Sequence, residues 1–313
     1  MGQGSNKDTY GIGDLVKKFT QKYTMYILLI FFFIVGCAGT KPKAPEEKSL
    51  PEYVPAQHLV FIGLDGWGGA YVSGANMPTV KRMMAGGASS LDGRSVIPSN
   101  SWPNWMAIFT GISPESLNPV SGEDQGFPSI FTLVKNNYPE KGSVFFYQWD
   151  ELQKIPPEQT VEMRTIHSNH ESAESIAAYI VENKPFFTAV AFNEPDSTGH
   201  SKRWGSKAYY DKLTELDGFI GIIEQAVRDA GVYDDTVFIL ASDHGGALWG
   251  HGFNLSSHRR IPLVIYGRNI REGFTIPSPL SICDIAPTMA AILGLEVPPE
   301  WKSRVLTEIF KQE

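Results

Sequence analysis

Residues 236–246 read TVFILASDHGG, an apolar and β-branched run that ends in Ser-Asp-His-Gly-Gly. A run this uniformly apolar has no face for water, which is typical of an inner strand in a sheet covered on both sides. In open α/β sheets, binding groups lie in loops beyond the carboxyl ends of such strands. Asp243 and His244 therefore stand where a parallel sheet places its functional side chains.

Five further runs of this kind predict strands, and the segments between them predict helices. The predicted strands are His58–Leu64, Ser89–Ile97, Ser143–Gln148, Phe186–Phe192, Thr236–Ala241 and Ile261–Tyr266. The predicted helices are Thr79–Met84, Trp105–Thr110, Ile130–Asn136, Glu171–Asn183, Lys207–Ala230 and Ile285–Leu293. Alternating strands and helices indicate an α/β fold, a three-layer sandwich around a central, largely parallel sheet.

Polar groups follow three other predicted strands. They are Asp65 after the first strand, the segment SNSWPNW (99–105) after the second, and Asp196 and His200 in NEPDSTGH (193–200) after the fourth, with His251 in GHG (250–252) beyond Asp243 and His244. The competing histidines are His258, which could replace His251, and His167 and His170, which we expect at the surface or in a substrate loop.

Each motif alone also has a plain structural interpretation. Asp65 before a glycine is typical of a turn, and Asp196 and His200 could lie in a solvated polar loop. Asp243 and His244 are more specific, because adjacent polar side chains at a buried strand end cost free energy without a partner such as a metal ion.

Taken in chain order, the motifs carry a family resemblance. Asp-Gly, a hydroxyl before Pro-Asn, Asp-x-x-x-His, Asp-His-Gly and Gly-His-Gly resemble the alkaline phosphatase superfamily and, within it, the type I phosphodiesterase/nucleotide pyrophosphatase branch. DIAPTMAAILG at 284–294 is similar to that superfamily's closing helix, so the resemblance covers roughly residues 59–295. It implies an alkaline phosphatase-like fold.

The resemblance also implies two divalent metal ions. One would be held by Asp65, Asp243, His244 and the oxygen of Ser101, and the other by Asp196, His200 and His251. Carboxylate and imidazole ligands without cysteine suit Zn²⁺, which the resemblance implies, although Mn²⁺ or Fe could occupy the same set.

By the same resemblance, Ser101 is the nucleophile and Asn104 donates a hydrogen bond to a phosphoryl oxygen. A divalent cation lowers the pKa of a bound hydroxyl, and displacement at phosphorus would leave a phosphoserine that water then hydrolyses. A helix starting near Pro103 would add backbone N–H groups. Ser99 is the weaker candidate, because Pro-Asn follows Ser101 after one residue.

The predicted function is hydrolysis of a small phosphoester by an extracytoplasmic enzyme of the phosphodiesterase/nucleotide pyrophosphatase type. The branch usually has Thr at the position of Ser101, so a phosphomonoesterase stays an alternative. A noncatalytic metal-binding surface lipoprotein is another, but it has no need of the nucleophile. No Cys-x-Pro-x-Arg or Ser-x-Pro-x-Arg motif occurs here, which counts against a sulfatase. Trp67, Trp102, Trp105 and Trp249 could stack on a base or an aryl leaving group, or they could be core residues.

Composition sets outer limits on these interpretations. The 313 residues include 27 Lys+Arg and 34 Asp+Glu, which gives a net charge of −7, with 12% aromatic residues. This is ordinary for a globular protein and argues against a nucleic-acid polymer as partner. Two cysteines make no disulfide framework, and Cys283, in an apolar stretch, is expected to be buried and inert.

The N-terminal region predicts export. Met25 to Val35 is an apolar run after Lys17, Lys18 and Lys22, and it is shorter than the roughly 20 residues that span a bilayer. Ile34-Val35-Gly36-Cys37 resembles the lipobox of bacterial lipoproteins. We expect a signal peptide over 1–36, lipid on Cys37, a Pro-rich tether over 37–55 and a catalytic domain over 56–313, held at a membrane and facing the periplasm or the cell exterior. A short uncleaved anchor with an incidental cysteine is the alternative.

Overall fold

The structure is a computed structural model that describes Met1 and residues 54–114 and 128–312. Leu50–Glu313 forms one compact unit. Its described residues form an eight-stranded sheet in the order β4-β3-β5-β1-β6-β7-β2-β8. The strands are β1 His58–Leu64, β2 Ala88–Arg94, β3 Ser143–Tyr147, β4 Glu162–Thr165, β5 Phe187–Phe192, β6 Thr236–Ala241, β7 Arg260–Gly267 and β8 Phe274–Thr275.

Strand β1 lies at the centre of the sheet. It pairs in parallel with β5 on one side and with β6 on the other, so that Ile62 stands between Val190 and Leu240. Strands β3 and β4 extend the parallel part beyond β5. β7 runs antiparallel to both β6 and β2, and β8 pairs in parallel with β2. The prediction of a largely parallel sheet is therefore confirmed, with β7 as the strand that runs the other way.

Helices cover both faces of this sheet. They are α1 Pro78–Ala85, α2 Ser101–Thr110, α3 Ile130–Asn137, α4 His170–Asn183, α5 Asp196–Lys202, α6 Lys207–Asp229, α7 Ser256–Arg259 and α8 Ile285–Ile292. Alternate residues of β1 point into two separate cores: Phe61 joins the core of α2, α3 and α8, and Ile62 joins the core of α1, α4 and α6. The result is the predicted three-layer sandwich.

Several element boundaries differ from the predictions. β2 ends at Arg94 rather than at Ile97, and α2 begins at Ser101 rather than near Pro103 or Trp105. α5 lies where no helix was predicted, and it was missed because its sequence DSTGHSK has no apolar periodicity. The edge strands β4 and β8 were not predicted, since their residues are mostly half-buried or exposed.

Apart from Met1, the predicted signal peptide, the predicted lipidation site Cys37 and most of the tether lie outside the described residues. Within the part that is described, no helix has the length and apolar character to cross a membrane.

Candidate active site

Four parallel strands end at one edge of the sheet, and their following residues converge there. Asp65 follows β1, Ser101 opens α2 after the loop from β2, and Asp243 follows β6. Asp196, at the start of α5 after β5, joins them, and two groups of ligand atoms each lie within 4.8 Å of one another: Asp65, Asp243 and His244, and Asp196, His244 and His251.

The turn after β1 explains how two of these carboxylates meet. Gly66 has a φ of 71°, in the left-handed region that favours glycine, and a Cβ there would lie 2.8 Å from the Cβ of Asp196. The Gly66 N–H donates to Asp243 Oδ1 at 3.0 Å. On the other side, the Trp105 indole N–H donates to Asp65 Oδ2 at 3.1 Å. Asp65 and Asp243 are thereby fixed before any ligand binds.

The first cluster surrounds the candidate nucleophile. Ser101 Oγ lies 3.1 Å from His244 Nε2 and 3.5 Å from Asp65 Oδ1. His244 Nε2 lies 3.4 Å from Asp65 Oδ1 and 3.3 Å from Asp243 Oδ2. Asp243 Oδ2 is buried without a hydrogen-bond partner among the described residues. One cation between these atoms would satisfy that oxygen.

The second cluster lies beside the first. Asp196 and His200 are one turn apart on α5, so they share a face, and His200 Nε2 is 3.5 Å from Asp196 Oδ2. His251 Nε2 lies 3.1 Å from His200 Nε2 and 3.6 Å from Asp196 Oδ1, an oxygen for which the described residues provide no hydrogen-bond partner. The His251 ring stacks on His244 with centroids 3.8 Å apart, which joins the two clusters.

The three imidazoles are oriented in the same way. The Nδ1 atoms of His200, His244 and His251 each lie 2.9 Å from a backbone carbonyl, those of Trp249, Gly245 and Ser99 respectively. A carbonyl only accepts, so each Nδ1 carries a proton, and in a neutral ring the Nε2 lone pair is then the one directed at the clusters. Metal-ligating histidines are commonly held by such an outer hydrogen bond.

The electrostatics of the clusters also fit cations. Burial, followed by the charge of Asp243, raises the pKa of Asp65 to about 8. Burial, followed by the charges of Asp65 and Glu194, raises the pKa of Asp196 to about 8. Burial, followed by the neighbouring His244, lowers the pKa of His251 to about 3. Carboxylates that resist ionisation and imidazoles that resist protonation form a set that divalent cations would satisfy.

Asn104 is fully buried on α2. Its Oδ1 accepts from the Val96 N–H at 2.7 Å, and its Nδ2 donates to the carbonyls of Asn100 at 2.8 Å and Pro98 at 3.2 Å. These bonds fasten the loop between β2 and α2. Donation of a hydrogen bond from Asn104 to a phosphoryl oxygen stays a prediction. One of the two hydrogen bonds that Nδ2 donates to carbonyls would have to be broken for it.

The other histidines, Cys283 and the tryptophans are distinguished by where they lie in the structure. His258 Nδ1 accepts from the Phe253 N–H at 3.3 Å, so its ring faces its own loop, and His251 is the histidine in the cluster. His167 and His170 are exposed, as expected. Cys283 is buried. Among the tryptophans, Trp67 and Trp105 are core residues with no exposed surface, whereas Trp102 and Trp249 are exposed.

Comparison with known proteins gives two kinds of match. The chain is 36% identical over 94 residues to arylsulfatase K of Danio rerio, a region that is 28% of this chain and 18% of that protein. It is 23% identical over 234 residues to ectonucleotide pyrophosphatase/phosphodiesterase family member 1 of Rattus norvegicus, which covers 65% of this chain and 25% of the relative. The matches thus span a quarter or less of these two relatives' lengths.

Solved structures share the fold. Murine ectonucleotide pyrophosphatase/phosphodiesterase 5, an inactive form in complex with AMP, matches 82% of this chain and 100% of its own with a TM-score of 0.67 and 13% identity. A protein in the alkaline phosphatase superfamily from Vibrio parahaemolyticus matches 83% of this chain and 72% of its own with a TM-score of 0.65 and 17% identity.

The sequence model of the family described as type I phosphodiesterase/nucleotide pyrophosphatase matches residues 59–120 and 134–258. These ranges are more than half of the chain and contain Asp65, Ser101 and both ligand clusters. Hydrolases of the alkaline phosphatase superfamily share this architecture, and the motif order, the sheet and the site agree with it. The chain belongs to the type I phosphodiesterase/nucleotide pyrophosphatase family.

Proposed function

We propose that the chain is a two-metal phosphoester hydrolase of the phosphodiesterase/nucleotide pyrophosphatase type, which forms a covalent phosphoserine on Ser101. The observation that carries the proposal is the position of Ser101 Oγ, 3.1 Å from His244 Nε2 and 3.5 Å from Asp65 Oδ1, at the edge of a cluster of ligand-type side chains. A hydroxyl beside a candidate metal site is the arrangement that an activated nucleophile requires.

Each residue of the site has a role in the proposed reaction. Asp65, Asp243, His244 and Ser101 would hold one ion, and Asp196, His200 and His251 the other. Two divalent ions, which we propose to be Zn²⁺, would lower the pKa of the hydroxyl and stabilise the attacking and leaving oxygens when bound. Ser101 Oγ forms the new bond to phosphorus while the bond to the leaving oxygen breaks on the opposite side. Water then cleaves the serine–phosphate ester and restores the hydroxyl.

The start of α2 supports the phosphoryl group. Ser101 is the first residue of the helix, and Asn100 before it makes no side-chain cap hydrogen bond. The first N–H groups of a helix have no intrahelical partner and favour an anion. The nucleophile and these N–H groups therefore lie at the same helix end, where negative charge develops during phosphoryl transfer.

The substrate class rests on the motif around the nucleophile. A sulfatase-type Ser-x-Pro-x-Arg motif would need Arg at position 105. This chain has Trp105 there, which is fully buried and donates a hydrogen bond to Asp65. Trp102, next to Ser101, and Trp249 are exposed, and the Trp102 ring meets Trp149 edge-on at 6.4 Å. These aromatic surfaces suit a base or aryl leaving group, as in a small nucleotide-like phosphodiester.

The test is an assay of the full chain with Zn²⁺ against matched aryl esters: a phosphodiester, a phosphomonoester and a sulfate ester. We expect the diester to give the highest kcat/KM, with turnover lost after chelation and restored by Zn²⁺. A higher kcat/KM for the monoester would instead identify a phosphomonoesterase. Preference for the sulfate ester, or turnover that survives complete metal removal, would contradict the proposal.

We also propose export and membrane attachment through lipid on Cys37, on the grounds of the basic stretch, the apolar run and the Gly36-Cys37 junction. One acyl chain anchors only marginally, whereas two or more give stable attachment. Metabolic labelling with a fatty acid should mark the wild type and not Cys37→Ser. Labelling that persists in Cys37→Ser would show that this cysteine is not the lipidation site.

A further inference from the structure

Trp204 is a buried aromatic residue that no motif predicted and the proposed reaction does not use. It is 3% exposed and lies just after α5. Arg203 before it has a φ of 79°, in the left-handed region, so the chain turns back there and brings the Trp204 ring against Gly199 of the same helix. The Trp204 ring therefore packs against α5, the helix that carries Asp196 and His200.

The Trp204 ring contacts both histidines of the second cluster. It meets His200 edge-on with centroids 5.0 Å apart, and His251 at 6.0 Å. Its backbone N–H donates to the Leu248 carbonyl at 2.8 Å, which fixes the loop that carries His251. The two histidines come from segments about 50 residues apart in sequence, and this one side chain packs against both.

Trp204 is also linked to the first cluster through one residue, Gly66. Its indole N–H donates to the Gly66 carbonyl at 3.0 Å, and the Tyr209 hydroxyl donates to the same oxygen at 2.8 Å. On the other side of this residue, the Gly66 N–H holds Asp243 Oδ1. The position of the Asp243 carboxylate is therefore linked to the position of the indole ring.

Two glycines leave room for the ring. A Cβ on Gly246 would lie 2.3 Å from the Trp204 ring, and a Cβ on Gly199 would lie 2.5 Å from it. Neither glycine has a positive φ, so the close approach of the ring, and not backbone conformation, requires glycine at these positions. The space that Gly199 and Gly246 leave is therefore filled by the Trp204 ring.

We infer that Trp204 is a positioning residue that sets the metal affinity of the site by fixing His200, His251 and, through Gly66, Asp243. The inference rests on the proposed function, because it takes these side chains to be metal ligands. Residues that orient ligands from the outer shell typically contribute about 10- to 100-fold to metal affinity. Loss of the ring should therefore weaken metal binding without removing a ligand.

Trp301 provides a matched control for Trp204. It is 4% exposed, and its indole N–H donates to the Pro128 carbonyl at 3.0 Å, in the core on the other face of the sheet. Gly250 provides the control for Gly246, because a Cβ there would meet nothing within 4 Å and its φ is not positive. Trp204→Ala and Trp301→Ala each lose a buried ring and one indole hydrogen bond, but only Trp204 contacts the clusters. Gly246→Ala places a methyl group against the Trp204 ring, whereas Gly250→Ala adds a methyl group next to His251 that does not touch the ring.

The experiment measures Zn²⁺ equivalents after dialysis and Zn²⁺ affinity by chelator competition, on the full chain. We expect Trp204→Ala and Gly246→Ala to bind Zn²⁺ about 10- to 100-fold more weakly. Trp204→Phe, which keeps an aromatic ring and loses the N–H, should lie between them and the wild type. Trp301→Ala and Gly250→Ala should keep wild-type affinity, whatever their effect on melting temperature.

Wild-type affinity in both Trp204→Ala and Gly246→Ala would overturn the inference, as would an equal loss in Trp301→Ala. If Trp204→Ala shows no cooperative unfolding transition, Trp204→Phe and Gly246→Ala decide by the same criterion. A wild-type chain that retains less than one Zn²⁺ equivalent would contradict the proposed function itself, and the inference with it.

Discussion

Ser99 and Ser101 are two residues apart, yet their hydroxyls have different environments. Ser99 is fully buried and its Oγ donates to the Phe253 carbonyl at 2.8 Å, which ties it to the loop after His251. Ser101 Oγ has His244 Nε2 at 3.1 Å. One hydroxyl is engaged in structure and the other faces the ligand clusters.

From this difference we expect Ser101→Ala to lower kcat by about a thousandfold or more while metal content stays near that of the wild type. Ser99→Ala should keep most of the turnover and lose about 1 kcal/mol of unfolding free energy with its hydrogen bond. Steady-state kinetics and denaturant unfolding measure the two effects. Loss of turnover only in Ser99→Ala would mean that the nucleophile has been misassigned.

At this scale, sequence reasoning predicted the side chains that cluster at the site and missed the groups that orient them. Asp243 and His244 could be predicted because polar residues after an apolar strand must have a partner. The carbonyls that hold the histidines belong to Ser99, Gly245 and Trp249, and a backbone carbonyl carries no signal in residue type. Trp204 escaped notice for a related reason: a lone tryptophan is most simply a core residue.

Helix α1 shows how elements depend on distant partners. Its N-cap residue, Met77, makes no side-chain cap hydrogen bond. Instead, the Asp217 carboxylate on α6 accepts from the Thr79 N–H at 3.0 Å and from the Val80 N–H at 2.8 Å. Asp217 is 3% exposed, so water does not replace these bonds easily. Asp217, the residue that caps α1, is 138 residues from Thr79 in sequence.

We expect Asp217→Ala to lower the unfolding free energy by about 2 to 3 kcal/mol, because one buried and one half-buried N–H group lose a carboxylate acceptor. Asp211→Ala on the same helix is the control: it breaks an exposed pair with Lys207 at 2.6 Å, and such pairs contribute about 0.5 kcal/mol. Urea unfolding measures both. Equal losses in the two variants would show that the Asp217 cap adds nothing beyond a surface charge.

Dependence on contacts distant in sequence also limits which strands and helices can be predicted from the sequence alone. Central strands such as β1 and β6 could be predicted because burial on both faces leaves only apolar residues. The edge strand β4 reads EMRT and is mostly exposed, so its pairing with β3 leaves no apolar pattern. A helix start near Pro103 was predicted, but the first two residues of α2, Ser101 and Trp102, were not, because a serine shortly before a proline is as typical of a turn as of a helix start.

At the scale of the whole molecule, two apolar cores support a cluster of carboxylates and imidazoles at one edge of the sheet. Composition predicted a globular chain, and strand–helix alternation predicted its layers, because both follow from the burial of apolar surface. Neither predicts how the clusters affect stability. Asp65, Asp243 and Asp196 are brought together by the paired ends of β1, β5 and β6, so the fold itself opposes their ionisation in the absence of cations.

Metal removal should therefore lower the stability of the entire domain. Each ion that binds only the folded state adds about 2.7 kcal/mol to the unfolding free energy at a hundredfold excess over its Kd, so chelation should lower the melting temperature by on the order of 10 °C.

Asp243→Asn separates the stabilisation by bound metal ions from the destabilisation by the buried carboxylates. Its amide oxygen can still accept from the N–H groups of Gly66 and His244, which now hold Asp243 Oδ1 at 3.0 and 2.9 Å, while one buried charge is gone. In chelator, this variant should melt above the wild type, and Zn²⁺ should raise its melting temperature less. Calorimetric scans of both proteins with chelator and with Zn²⁺ decide the matter: a wild type indifferent to chelation, or a variant stabilised by Zn²⁺ as much as the wild type, would show that these carboxylates do not bind metal.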